Sequence, residues 1–513
     1  MAPDPDEMTR WRPLDTLSVG GWTILVLAVV SSVLTAAVTL WPRADREGLA
    51  MWVFAVNHAD LYEPLLEERR AEAADAEGGG GAGGAGGVGG AGGVPVNLAV
   101  IDAAAMTRRL LAGFWGDTPL ADLVEVESGM MARFTSGPLE SMGFADLTDR
   151  LGAEGLIGRI NPPSFSPWTS RGRVFGIPHD VHPTLLAYRA DIVEEAGIDV
   201  DQIRTWADFE RLMQPLLADE DSDGAPDHYP LAIWYSDTFR VKALLLQAGG
   251  GLFLPDGRPA LDRPENARVV AEVVSWCVGP DRIAVDAPNF TFSGDQLKLQ
   301  GRVVCELMPD WLAGTWKRTL PRLGGKVKLM PLPAWEPGGR RTTVMGGTML
   351  GFPKRTLESS GAGTGDPTFE DAWAFGKRLY LDRAYSERLY RTTNIVTPVT
   401  DFWDEPWFHE PDPYFSGQRA GTMFLGQAPH VPARTPSPFL VTADLRLSEV
   451  LGRLYRLANE RGVHDAEALR PHAEVLLRDA QARLEEEMSR NVFLAAGPAG
   501  GDDAPAPAAQ EAP

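Results

Sequence analysis

Cysteine is nearly missing from this 513-residue chain, which has only Cys277 and Cys305. Neither stands at the CxxC or Cys/His spacing that a structural zinc site requires, so a site of that kind is excluded. The two thiols are either one disulfide, permitted outside the cytoplasm, or two small buried apolar groups. Histidine is also scarce, and the eight present show no metal-ligand spacing. Basic residues fall short of acidic ones, 48 against 70, and the formal charge of −22 opposes binding to phosphate backbones. A nucleic-acid partner is therefore not expected. No Ser-His-Asp elbow, HExxH helix or nucleotide-binding fingerprint occurs. A pair of carboxylates of the glycosidase type stays open as an alternative, as does a ligand-sensing domain.

What the chain does have begins with an uncharged run, WTILVLAVVSSVLTAAVTLW, from Trp22 to Trp41. As a helix it would span roughly 30 Å, one membrane crossing. Tryptophans stand at both ends, and Arg10, Arg12, Arg43 and Arg46 flank it. The run is longer than a signal-peptide core and no convincing cleavage site follows, so the expectation is an uncleaved transmembrane anchor over about residues 22–41. The remaining length suits two α/β lobes.

Beyond the anchor, LAMWVFAV reads as a strand and LYEPLLEERRAEAADAE as an amphipathic helix. The Gly-rich stretch 78–94 cannot offset its backbone entropy and reads as a flexible insertion; it lacks the Lys-Ser/Thr of a phosphate-binding loop. Then VPVNLAVI, MTRRLLAGFW and LADLVEV alternate strand, helix, strand, with a further helix near Met130 to Phe134. Such alternation predicts a mainly parallel sheet. Further on, Thr205 is a candidate N-cap for WADFERLM, RPENARVVAEVVSWCV carries a helical apolar stripe, and residues 446–488 read as helix broken near Gly462. The tail from 494 to 513 reads as disordered.

Several blocks together resemble a known family. VFGIPHDVHPTLLAYRADIVEEAGIDVDQIRTW holds Gly176 to Pro178, Leu185 to Tyr188, Ala196 to Ile198, and Thr205 with Trp206. GRVVCELMPDWLAG follows, with Pro309 and Asp310 before Trp311; then come Pro331, Pro333, Gly346 and Gly347, the block AWAFGKRLYLDRAYSERLY, and NIVTPV with Pro398. In this order they resemble the sugar-type, maltose-binding-protein-like solute-binding proteins of ABC importers, over roughly residues 47 to 490. The resemblance implies a type II periplasmic-binding-protein fold, with two α/β lobes, a hinge and an interlobe cleft that closes on ligand. It further implies permease subunits as partners and an extracytoplasmic location. The first lobe would hold 47–180 and 334–396, and the second 181–333 and 397–493.

A carbohydrate needs aromatic platforms for its C–H faces and fixed polar partners for its hydroxyls. The resemblance makes Trp311 the leading platform, and Trp234 and Tyr235 follow another strand-like run. Asn57, Glu127 and Asp180 come after predicted strands, where loops border the cleft of an α/β sheet; a helix cap or a solvated loop residue is the alternative for each. Gly346 and Gly347 would admit a close backbone approach. Trp403 and Trp407 would close one end of the cleft. Separately, Asp219, Asp221, Asp223 and Asp227 with Gly224 follow an EF-hand-like spacing, which suits a structural calcium ion. Pro230 replaces the closing glutamate, and an acidic solvated turn is the alternative.

Overall fold

The computed structural model describes residues 22–23, 26–31, 48–78, 94–116, 118–219, 226–354 and 368–491. In the unit Met1–Glu47 the described residues are helical. Most of the expected anchor lies outside the described residues, and among these no helix is long and apolar enough to cross a membrane. The Gly-rich insertion, apart from its end residues Gly78 and Val94, and the C-terminal tail also lie outside them.

The unit Gly48–Pro513 opens β–α–β–α–β, as the periodicity predicts. Strands β1 (Leu49–Val53), β2 (Val96–Val100) and β3 (Leu123–Glu127) are linked by helices α1 (Val56–Gly78) and α2 (Ala103–Trp115). Strand β1 alternates fully and partly buried residues and pairs in parallel with both neighbours. Helix α1 starts five residues before the predicted Leu61, because the chain turns directly after Val53. That early turn carries His58 into the interior.

A short hairpin, β4 (Thr169–Ser170) and β5 (Arg173–Val174), precedes β6 (Ile177–Pro178). The chain then enters a second sheet through β7 (Thr184–Arg189), β8 (Tyr229–Ala232), β9 (Ala284–Val285), β10 (Val303–Pro309) and β11 (Val327–Pro331), and returns as β12 (Thr348–Gly351). The spatial orders are β2-β1-β3-β12-β6 and β11-β7-β10-β8-β9. Each sheet is mainly parallel with one reversed strand: β12 opposes β3 and β6, and β7 opposes β10 and β11. Both reversed strands follow a passage from the other sheet, so they arrive from the opposite direction. Strand β7 lies between two neighbours and is buried throughout, which explains its unbroken apolar run TLLAY.

On the second sheet Thr205 caps α3 (Trp206–Met213) through a capping box with Asp208. Helix α4 (Pro264–Trp276) packs against the C-terminal pair α8 (Leu440–Arg461) and α9 (Ala466–Ser489). The break between that pair is Gly462, whose left-handed φ of 62° favours glycine. Leu447, Leu451, Leu454, Leu469, Leu477 and Leu484 are fully buried in the same core, each worth about 1.5–3 kcal/mol. Cys277 and Cys305 are in that core as free thiols, so the small-apolar-group reading holds and the disulfide does not form. Helix α5 (Asp310–Thr319) follows β10, while α6 (Phe369–Leu381) and α7 (Arg383–Thr393) follow β12.

Candidate functional site

Three passages between the sheets, 179–183, 332–347 and 394–398, run side by side and bond to one another. His179 N donates to Thr348 O (2.9 Å), Thr184 N to Thr343 O (3.1 Å) and Val181 N to Val396 O (3.2 Å). At their centre His182 takes the left-handed conformation, φ 58°, which places its ring between two carboxylates. Its Nε2 is 3.0 Å from Asp180 Oδ2 and its Nδ1 2.6 Å from Asp310 Oδ1. All three side chains are at least nine-tenths buried. Burial alone would push His182 down, but Asp180 and then Asp310 outweigh it and hold the imidazolium at about 10. Burial likewise opposes ionisation of Asp180, yet His182 and His179 keep it well below the usual carboxylate range. The carboxylates also fix backbone: Asp180 accepts from Thr348 N (3.0 Å), and Asp310 from Trp311 N and Val396 N (both 2.7 Å).

Asp180 is therefore committed to the junction of the sheets and is not an open cleft residue. Deeper in the first lobe, Glu125 accepts from His58 Nδ1 (2.9 Å), Tyr380 (2.7 Å) and Tyr62. Burial opposes its charge, but His58, His179 and the Tyr62 hydroxyl together outweigh burial and lower the pKa; burial lowers that of His179.

Above the junction, α5 presents Trp311, half-buried, with its indole N–H on Met345 O at 2.9 Å. Phe290 lies nearly parallel to it, 6.1 Å away with an 11° tilt, and is 70% exposed. Gly346 and Gly347 have φ of 95° and 132°. A Cβ on Gly346 would lie 3.0 Å from the Trp311 indole nitrogen, and one on Gly347 2.7 Å from the Arg434 guanidinium. These glycines thus admit two side chains to the backbone. Arg434 donates to Gly346 O from its guanidinium and to Ser166 Oγ from its backbone N–H, 3.0 Å. Burial lowers its pKa, opposed by Asp180 and Glu127. Glu127 itself accepts from Gly129 N and Ser128 Oγ, both 2.8 Å, as the cap of a short helix.

Of the residues singled out from sequence, Asp180, Trp311, Gly346 and Gly347 meet directly around His182 and Arg434, and Glu127 borders them through Ser128. Asn57 is half-buried in the first turn of α1. Trp234 and Tyr235 form another cluster, in which Tyr235 stacks on Tyr455 of α8 at 3.9 Å. Trp403, half-buried, is held by a bond from its indole N–H to Thr397 O, 3.0 Å, while Trp407 is buried in the core beneath Arg383 and does not stand free as a lid. In the acidic turn, Asp227 N donates to Ala218 O (2.9 Å); Asp221, Asp223 and Gly224 lie outside the described residues. Sequence reasoning passed over His182, Phe290 and Arg434. The only signals were two histidines in HDVHP, the pair of phenylalanines in NFTF, and an arginine in the Pro-rich stretch VPARTPSP.

Comparison with known proteins matches residues 90–362, more than half the chain, to the model of the bacterial extracellular solute-binding protein family. An arabinooligosaccharide-binding protein of Halalkalibacterium halodurans is 25% identical over 72% of this chain and 76% of its own length. Its namesake in Bacillus subtilis is 22% identical over 74% and 87%. The sugar-binding protein MalE of Xanthomonas citri is similar in structure, with a TM-score of 0.63 at 15% identity over 86% of this chain and 99% of that one. The two sheets, the interleaved crossover passages and the matched residues agree: the chain belongs to the bacterial extracellular solute-binding protein family.

Proposed function

We propose that the chain is the extracytoplasmic receptor of an ABC importer and captures a carbohydrate between its two lobes. The observation that carries this reading is the partly open aromatic face of Trp311 and Phe290, set directly over the bonded passages that join the sheets. A sugar C–H face packs on such rings, and the Arg434 guanidinium beside them supplies charged donors for hydroxyls. The named relatives bind arabinooligosaccharides, which makes pentose oligomers the first ligands to test. Closure would rotate the lobes, 47–180 with 334–396 against 181–333 with 397–493, about the three passages, and ligand would favour it by touching both. The uncharged run Trp22–Trp41 would tether the receptor near its permease.

Hydrolysis is disfavoured by the chemistry of the nearby carboxylates. A glycosidase acid needs a raised pKa, whereas Asp180 is held low and Glu127 is engaged as a helix cap. The test is a tryptophan-fluorescence titration of residues 46–513 with arabino-, malto- and galacto-oligosaccharides, followed by chromatography of the sugar. Saturable quenching with sugar recovered intact is expected; time-dependent shortening of the sugar would replace the receptor with an enzyme.

A further inference from the structure

We propose that His58, Glu125 and His179 form a binding site for one borderline-soft divalent cation, zinc above all, at the point where the first lobe meets the crossover passages. This inference is independent of what the cleft binds. One ring nitrogen from each histidine and one oxygen of Glu125 lie within 4.8 Å of one another. The residues are 5%, 0% and 2% exposed, and they come from α1, β3 and the passage after β6. Sixty-seven residues separate His58 from Glu125, so no motif could announce the site.

Counting protons shows why a cation fits. His179 Nδ1 faces Asp180 Oδ2 at 3.3 Å and its Nε2 faces the Tyr62 hydroxyl oxygen at 3.4 Å. The single Tyr62 proton goes to Glu125 Oε1, and Tyr380 donates to the same oxygen. If His179 carries its proton on Nδ1, it satisfies Asp180, and Nε2 points a lone pair at an oxygen with no proton to give. The other tautomer turns a lone pair toward the Asp180 carboxylate. In either neutral tautomer one buried ring nitrogen points its lone pair at an oxygen with no proton to give, a mismatch worth about 1–3 kcal/mol. A metal ion taking the Nε2 lone pair removes the conflict and leaves Asp180 as the outer carboxylate that orients a metal-bound imidazole. Two imidazoles and a carboxylate suit zinc, with Tyr62 Oη or water in the fourth position. Tetrahedral zinc needs ligand atoms about 3.4 Å apart at bond lengths near 2.1 Å, so the side chains would draw in from separations of up to 4.8 Å. The ion would fasten the 179–183 passage to the first lobe and stiffen it.

The test uses the full-length protein, stripped with chelator and reloaded with zinc or cobalt. One zinc per chain is expected, with an imidazole shell at the zinc absorption edge and a rise in melting temperature on loading. Asp180→Asn should weaken binding by about 10- to 100-fold, and the double variant His58→Gln/His179→Gln should lose stoichiometric binding. Binding that the double variant retains would move the ion elsewhere, for example to the acidic turn near Asp227, and overturn the proposal. So would a wild-type protein that takes up no zinc. If the double variant does not fold, the wild-type absorption edge still decides, since a zinc shell without imidazole contradicts the assignment.

Discussion

Replacing His182 with glutamine removes the positive charge placed between the buried carboxylates of Asp180 and Asp310. The His182 pKa is raised, about 10 against an ordinary 6.5, which corresponds to about 5 kcal/mol of preference for the charged ring. Breaking a buried ion pair by deleting one partner costs about 3–5 kcal/mol, in the same range. Because the pKa is raised on folding, this contribution is full below pH 6.5 and is lost as pH climbs through about 10. Urea unfolding of residues 46–513, wild type beside His182→Gln, should therefore show a gap of about 3–5 kcal/mol at pH 6 that narrows steadily toward pH 10. A gap under about 1 kcal/mol at pH 6, or one that does not change with pH, would refute a buried imidazolium as the clasp of the crossover passages.

Gly347→Ala puts a Cβ 2.7 Å from the Arg434 guanidinium at a φ of 132°, so it should cost about 1–3 kcal/mol in urea unfolding and weaken sugar binding by displacing that arginine. Burial pushes the Cys277 thiol up to about 12 and raises Cys305 as well, so a thiol reagent at pH 8 should label neither until urea is added, and then both. Rapid native labelling would contradict their burial. Thr205→Ala removes a capping box and should lower stability by about 0.5–2 kcal/mol, measured by thermal unfolding.

Local features were legible in the sequence because they depend on neighbours a few residues apart. The alternating strands and helices of the opening, the cap at Thr205 and the break at Gly462 each follow from period, capping chemistry or backbone freedom. The reversed strands β7 and β12 were not legible, since the direction of a strand depends on where the chain returns from. The polar centre was invisible for the same reason. His182 meets Asp310 across 128 positions, and Arg434 reaches Gly346 across 88. The place of Glu127 and Asp180 after strands makes both ligand candidates in the sequence. For Glu127 the alternative of a helix cap holds, whereas the buried histidine that engages Asp180 appears only once the chain is folded.

In the proposed function a sugar rests on Trp311 between the lobes. Calorimetric titration of arabino-oligosaccharides into wild-type protein and Trp311→Ala tests it most directly. Losing one aromatic platform is expected to weaken affinity by at least about tenfold, 1.4 kcal/mol, and the unfolding midpoint of each free protein separates lost binding from lost fold. Equal affinities in the two proteins would contradict the account and move the binding surface away from the face that Trp311 shares with Phe290.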